Sequence, residues 1–150
     1  MKAVIQVVDG AKVEVNEQVV GQIGSGLLIL LGIVDGDTEK ESDMLIEKIL
    51  KMRTFGDHDT GKSFELGIQD IGGGILVVSQ FTLAAGFKKG RRPDFSQAMD
   101  PKIAKIMYNE FVEKLRVASN LQIETGQFGA FMKVSLLNDG PITYILDTNA

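Results

Sequence analysis

Gly72-Gly73-Gly74-Ile75-Leu76-Val77-Val78-Ser79-Gln80-Phe81-Thr82-Leu83 is the stretch on which the architecture turns. Three flexible glycines open into the apolar run Ile75 to Val78, which reads as a central strand. That strand delivers three hydrogen-bonding side chains, Ser79, Gln80 and Thr82, at its end, where functional sites tend to sit.

Working outward, residues 3–8, 11–15 and 19–23 are short and rich in Val and Ile, and read as strands with Asp9-Gly10 and residues 16–18 as turns. Residues 26–34 form a nearly unbroken apolar run, the pattern of a strand covered on both faces. Thr38 with Glu41 three residues on predicts a capping box opening a helix to about Arg53, with Met44, Leu45, Ile49 and Met52 toward the sheet. Asp100 as N-cap and Pro101 at the first helical position predict a second helix to about Val117, burying Ile103, Ile106, Met107, Phe111 and Leu115. Strands at residues 121–124, 131–137 and 142–147 close the chain. The sum is an α+β fold, mainly antiparallel, with two principal helices covering sheet.

No repeat or linker breaks the 150 residues, so one domain spanning 1–150 is expected, large enough to bury roughly 70% of the surface exposed in the unfolded chain. Apolar residues at 44% and charged residues at 24% match an ordinary globular protein. The absence of cysteine removes disulfides, thiolate nucleophiles and Cys-based metal sites, and suits a reducing cytoplasm. The opening residues lack a signal-peptide core and the run Leu27 to Leu31 is too short to cross a bilayer, so a cytoplasmic protein without membrane contact is expected. A net charge of −4 argues against nonspecific coating of nucleic acid. Lys88, Lys89, Arg91 and Arg92, crowded beside Gly86 and Gly90, still make a local basic loop able to grip a few phosphates.

Residues 56–63, Gly-Asp-His-Asp-Thr-Gly-Lys-Ser, satisfy the phosphate-cradling pattern GxxxxGK[ST]. The context is wrong: a helix pattern precedes it, Phe64-Glu65-Leu66-Gly67 is a poor helix, and Asp57 and Asp59 would confront a polyphosphate. No nucleotide cofactor is therefore expected. His58 is the only histidine, so a Ser-His-Asp relay or His-based metal site would have to run through this turn. Metal and cofactor chemistry are not indicated.

Asn138-Asp139-Gly140-Pro141-Ile142-Thr143 places Gly-Pro where the chain should reverse after a buried strand. Nothing in the dipeptide itself calls for a cis bond, which is the form of only about 5% of X-Pro bonds. Together with Ser79-Gln80-Phe81-Thr82-Leu83, and in this order, it resembles the paired signatures SQFTL and NxGPxT of the D-aminoacyl-tRNA deacylase family. Gly24-Ser25-Gly26-Leu27-Leu28, Arg92-Pro93 before Phe95-Ser96, Thr125-Gly126-Gln127-Phe128 and Val134-Ser135-Leu136 extend the likeness over nearly the whole chain.

The resemblance implies curved sheets in an α/β/β layering and a carboxylic ester hydrolase, without cofactor, that frees D-amino acids and to some extent glycine from tRNA. It puts the chemistry at Ser79, Gln80, Phe81 and Thr82, with the backbone around Phe81 and Thr82 as oxyanion hole. A threonine hydroxyl without a neighbouring base is a weak nucleophile, which favours positioned water aided by the substrate's own ribose hydroxyl. Rejection of L substrates falls to Gly140 and Pro141, with a cis bond, inserted from the partner subunit of a homodimer whose active sites lie at the interface, and supported by Asn138 and Thr143. One departure bears on that stringency and not on the fold: the family generally has arginine, thought to steady the Gly-Pro element, where this chain has Val7. Two other readings remain, a dimeric nucleic-acid-binding module on the same scaffold with weak catalysis, and a nucleotide hydrolase built on residues 56–63.

Overall fold

The computed structural model describes residues 1–88 and 90–150. Its spine is β1 (Lys2–Val15), antiparallel along one edge to β3 (Gly26–Gly32) and then to β2 (Gln18–Ile23). The other edge pairs with the long final strand β8 (Lys133–Asp147). Beyond β3 the sheet turns parallel, through β6 (Gly74–Ser79) to β7 (Ile123–Thr125).

Asp9-Gly10 is not the turn expected from sequence. Val8 pairs with Asn138 and Gly10 with Leu137, so Asp9 is the extra residue of a bulge inside one continuous strand. The bulge has a packing purpose. Because side chains alternate, one inserted residue sends Ala3, Ile5 and Val7 to the helix-side core and Ala11, Val13 and Val15 to the opposite one. The sheet curls around that second core until β2 meets β7. A Cβ on Gly21 would lie 2.1 Å from the Thr125 carbonyl oxygen, so the contact requires glycine.

The helix layer follows its sequence signals closely. In α1 (Glu39–Lys51) the Thr38 hydroxyl accepts from the Lys40 N–H and the Thr38 N–H donates to the Glu41 carboxylate at 2.8 Å, the capping box foreseen. The bond from the Thr38 hydroxyl also holds the Glu41 carboxyl below its ordinary pKa. α3 (Pro101–Ala118) is capped by Asp100, whose carboxylate accepts from the Lys102 and Ile103 N–H groups. The buried stripes sit slightly off expectation. Leu45, Ile46 and Ile49 are buried on α1 while Met44 is exposed, and α3 buries Ala104, Tyr108, Phe111, Val112 and Leu115 while Ile103 and Ile106 face solvent. Both sets obey helical spacing; the apolar residues on the flanks misplaced the centre of the stripe.

Between the helices, β4 (Arg53–Asp57) and β5 (Lys62–Gly67) form a hairpin, and α2 (Ile68–Ile71) follows. The residues matching the phosphate-cradle pattern are this hairpin and its turn: the Asp57 carboxylate accepts from the Asp59 N–H and the Thr60 hydroxyl. Ser63 lies inside β5 and opens no helix, so the rejection of a phosphate loop agrees with the geometry.

β6 lies in the middle of all this. Ile75 and Val77 enter the helix-side core, Leu76 and Val78 the inner one, and all four are at most 1% exposed. Each such side chain contributes about 1.5–3 kcal/mol on burial.

Candidate active site

β6 and β3 run parallel with Ser79 beside Leu31, and the next residue is pinned by a 2.8 Å bond from the Gln80 N–H to the Leu31 carbonyl. There the chain leaves the sheet and winds into a 3-10 turn, Phe81–Ala84. The Leu83 N–H returns to the Gln80 carbonyl at 3.2 Å and the Ala85 N–H to the Thr82 carbonyl at 3.0 Å. The first N–H groups of such a turn have no partner within it. Among the described residues, Phe81 and Thr82 make no hydrogen bond through theirs. The strand end thus presents two adjacent main-chain donors at an exposed position.

The Gln80 side-chain amide donates to the Thr82 hydroxyl, which holds that oxygen as an acceptor and leaves its proton free. No His or carboxylate hydrogen-bonds Thr82 among the described residues, and His58 is exposed on the β4–β5 hairpin. Phe81 stands 60% exposed, its ring 5.0 Å from that of Phe95. Sequence reasoning noted Phe95 only as a landmark; an aromatic partner for the turn has no local signal and emerges only when the chain folds back.

That return is short. Gly86 and Asp94 exchange bonds of 2.7 and 2.8 Å, which holds Lys88, Arg91 and Arg92 between them directly after the turn. Lys88, Arg91 and Arg92 are exposed and form no ion pair among the described residues; Lys89 lies outside those residues.

Gly140-Pro141 corrects an expectation. The chain does not reverse there: β8 continues through it, and a protrusion replaces the foreseen turn between two strands. Gln6 pairs with Thr143 and Val8 with Asn138, so Val7 alone faces the four residues 139–142. The excess is pushed out of the ladder, with Asp139, Gly140 and Pro141 exposed and the Gly140-Pro141 bond cis. Gly140 has φ +112°, where L residues rarely sit, and a Cβ there would lie 2.6 Å from Ile142 Cγ1.

One side chain closes the base of this protrusion. Asn138 Nδ2 donates to the Val7 carbonyl at 2.9 Å and to the Ile142 carbonyl at 3.1 Å, joining the skipped residue of β1 to the far leg of the loop. Gln6 Nε2 reaches the Thr143 hydroxyl on the next rung at 3.4 Å. Val7 itself is 3% exposed, with its side chain in the helix-side core. It therefore meets the protrusion through its main chain.

The strand carrying the protrusion was expected to be buried and is not. Among the described residues β8 pairs only with β1, and Leu136, Leu137 and Ile145 are 38%, 64% and 78% exposed. Such an edge invites a covering partner. No group of three metal-ligating side chains occurs among the described residues, and no helix is long and apolar enough to cross a membrane.

The family model described as D-Tyr-tRNA(Tyr) deacylase matches residues 4–147. A protein of Persephonella marina named D-aminoacyl-tRNA deacylase is 52% identical over 150 residues, covering 100% of this chain and 99% of its own. One of Thermosipho melanesiensis with the same name is 49% identical over 148 residues, covering 99% and 97%. Among solved structures, one named "c-Myc DNA Unwinding Element Binding Protein" superposes with a TM-score of 0.94 at 43% identity, over 100% of both chains. Another, described as "Structural Analysis of a probable eukaryotic D-amino acid tRNA deacylase", gives 0.85 at 18% identity over 97% of each, a likeness of fold.

Proposed function

The chain belongs to the D-aminoacyl-tRNA deacylase family of hydrolases, and from that premise we propose that residues 1–150 act as one catalytic domain in which residues 79–82 hydrolyse the ester. Attack on the ester carbonyl makes a tetrahedral oxyanion, and each preorganised main-chain donor aimed at it contributes ~3 kcal/mol to the barrier reduction. The pair of unengaged N–H groups at Phe81 and Thr82 is the observation that carries this reading. Ser79 and Gln80 set the turn on the strand end, and Gln80 orients the Thr82 hydroxyl.

Among the described residues no base hydrogen-bonds Thr82 to take its proton, so the nucleophile is water and Thr82 positions it. The vicinal ribose hydroxyl of the terminal adenosine assists. A tRNA ending in 2′-deoxyadenosine and acylated at the 3′ position tests this: slowed hydrolysis is expected, and an undiminished rate contradicts it. An acyl group trapped on Thr82 would establish covalent catalysis instead.

Selection works by exclusion. A rigid backbone wall rejects any L side chain without reading which one it is, whereas a D side chain points away. Gly140 and Pro141, reaching into the neighbouring site of a homodimer, are that wall, with Asn138 and Thr143 holding its base. The exposed apolar face of β8 supports the dimer. Glycine offers no side chain to exclude, so glycyl-tRNA mischarged on tRNA-Ala is also a substrate. Lys88, Arg91 and Arg92, held beside the site by the Gly86–Asp94 bridge, take tRNA phosphates together with Lys89, their neighbour in sequence. A monomer with full activity at working concentration would contradict the shared site.

A second reading, a nucleic-acid-binding module with weak catalysis, is favoured by the solved structure at 43% identity, whose name is that of a DNA-binding protein. Titration with duplex DNA, beside turnover of D-tyrosyl-tRNA, separates them: binding without turnover would favour the module.

A further inference from the structure

A cavity of about 320 Å³ lies outside the site described, between α3 and the loop that leaves β7. On its helix wall stand Lys105, Asn109, Val112 and Arg116, spaced by four, three and four residues and therefore in one row along α3. The facing wall is Thr125 to Phe128.

The position of this groove along the sheet follows from two bonds. Arg116 Nη2 donates to the Ile123 carbonyl at the start of β7, at 3.5 Å. Tyr108 Oη donates to the Val77 carbonyl at 2.7 Å, and Val77 pairs with Thr125 at the end of β7. α3 thus runs antiparallel to β6 and β7. Three residues before Tyr108, Lys105 lies about 4.5 Å further along the axis. From Val77 to Ser79 the strand advances about 6.6 Å. Lys105 accordingly lies toward the Ser79 end of the strand, and the groove runs from there back toward Arg116.

Its chemistry is that of a seat for single-stranded nucleic acid. Lys105 is exposed and makes no ion pair among the described residues. Glu113 is the one lining carboxylate and is occupied by Arg116. Two cations against one anion leave the groove positive in a chain of net charge −4. Asn109 and Gln127 supply exposed amides, and half-buried Phe128, its ring 5.6 Å from that of Tyr108, offers an aromatic face.

We propose that this groove binds the single-stranded RNA immediately upstream of the terminal adenosine, with Lys105 on the first phosphodiester and Phe128 stacking on a base. The inference rests on the ester lying at residues 79–82. The groove's lining residues are other than those of the basic loop, which lies on the chain between β6 and α3.

The test compares D-tyrosyl-tRNA with the minimal ester D-tyrosyl-adenosine, using wild type, Lys105→Ala, Lys105→Glu and, as control, Lys102→Ala. Lys105→Ala lowers kcat/KM for the tRNA about fivefold and Lys105→Glu further, while turnover of the minimal ester holds within about twofold. The salt dependence of kcat/KM for tRNA flattens by about 0.7 in log-log slope, the value of one single-strand phosphate. Lys102→Ala changes neither. Equal losses on both substrates, or no loss on tRNA, overturn the proposal. Should wild type spare the minimal ester, the salt slope decides alone. Wild type inactive on both substrates would instead strike the placement of the ester.

Discussion

The end of β6 and the protrusion of β8 are held in opposite ways. β6 is sealed on both faces and paired on both edges, so the turn leaving it inherits its position from the sheet. The protrusion rises from a strand with one paired edge and is closed by a single amide, Asn138. Main-chain donors set by a ladder need no side chain to aim them; a wall made of loop backbone does. On the function proposed above, hydrolysis and chiral selection should therefore answer to different mutations.

The comparison breaks most visibly at the sheet. Leu76→Ala, at a side chain with no exposed surface, should cost about 3 kcal/mol in urea unfolding. The molecules still folded should retain the wild-type preference for D over L substrate. A lost preference would mean that the two regions are not independent.

At the protrusion the effects reverse. Gly140→Ala forces an L residue to φ +112° with its Cβ against Ile142, a local strain of about 1–3 kcal/mol. The ratio of D- to L-tyrosyl-tRNA hydrolysis should fall about ten- to hundredfold, with the unfolding midpoint lowered by no more than this strain accounts for. Asn138→Asp keeps shape but turns two donated bonds into carboxylate-carbonyl repulsion, and should lower the same ratio about tenfold. Unchanged selectivity in both variants would remove the protrusion from the account.

A smaller effect lies beneath the helix. Burial raises the Tyr108 phenol to about 12, and its hydroxyl bonds the Val77 carbonyl two residues before Ser79. The unfolded phenol titrates near pH 10, so the neutral folded form contributes stability that is complete below pH 10 and is lost as pH rises toward 12. Alkaline melting between those values should show a steeper loss in wild type than in Tyr108→Phe.

Much of the site was readable from residues. The apolar run before Ser79 could only be a covered strand, and Thr38, Glu41, Asp100 and Pro101 are local signals that act over one helical turn. What escaped depends on register. Asp9-Gly10 and Gly140-Pro141 have turn composition, yet each became an irregularity within a strand because the long β1–β8 ladder resumes on either side. The departure at Val7 read as a missing side chain, whereas its main-chain carbonyl is what meets Asn138. The aromatic pair Phe81–Phe95 and the groove beside α3 arise from elements far apart in sequence, which no local pattern marks.

The most direct measurement is the rate at which wild type deacylates D-tyrosyl-, L-tyrosyl- and glycyl-tRNA side by side. Hydrolysis of the D and glycyl esters, with the L ester spared by about a hundredfold or more (roughly 2.7 kcal/mol), is the result expected from an oxyanion turn guarded by a backbone wall. Equal hydrolysis of D and L esters would contradict the wall, and hydrolysis of neither would contradict the turn.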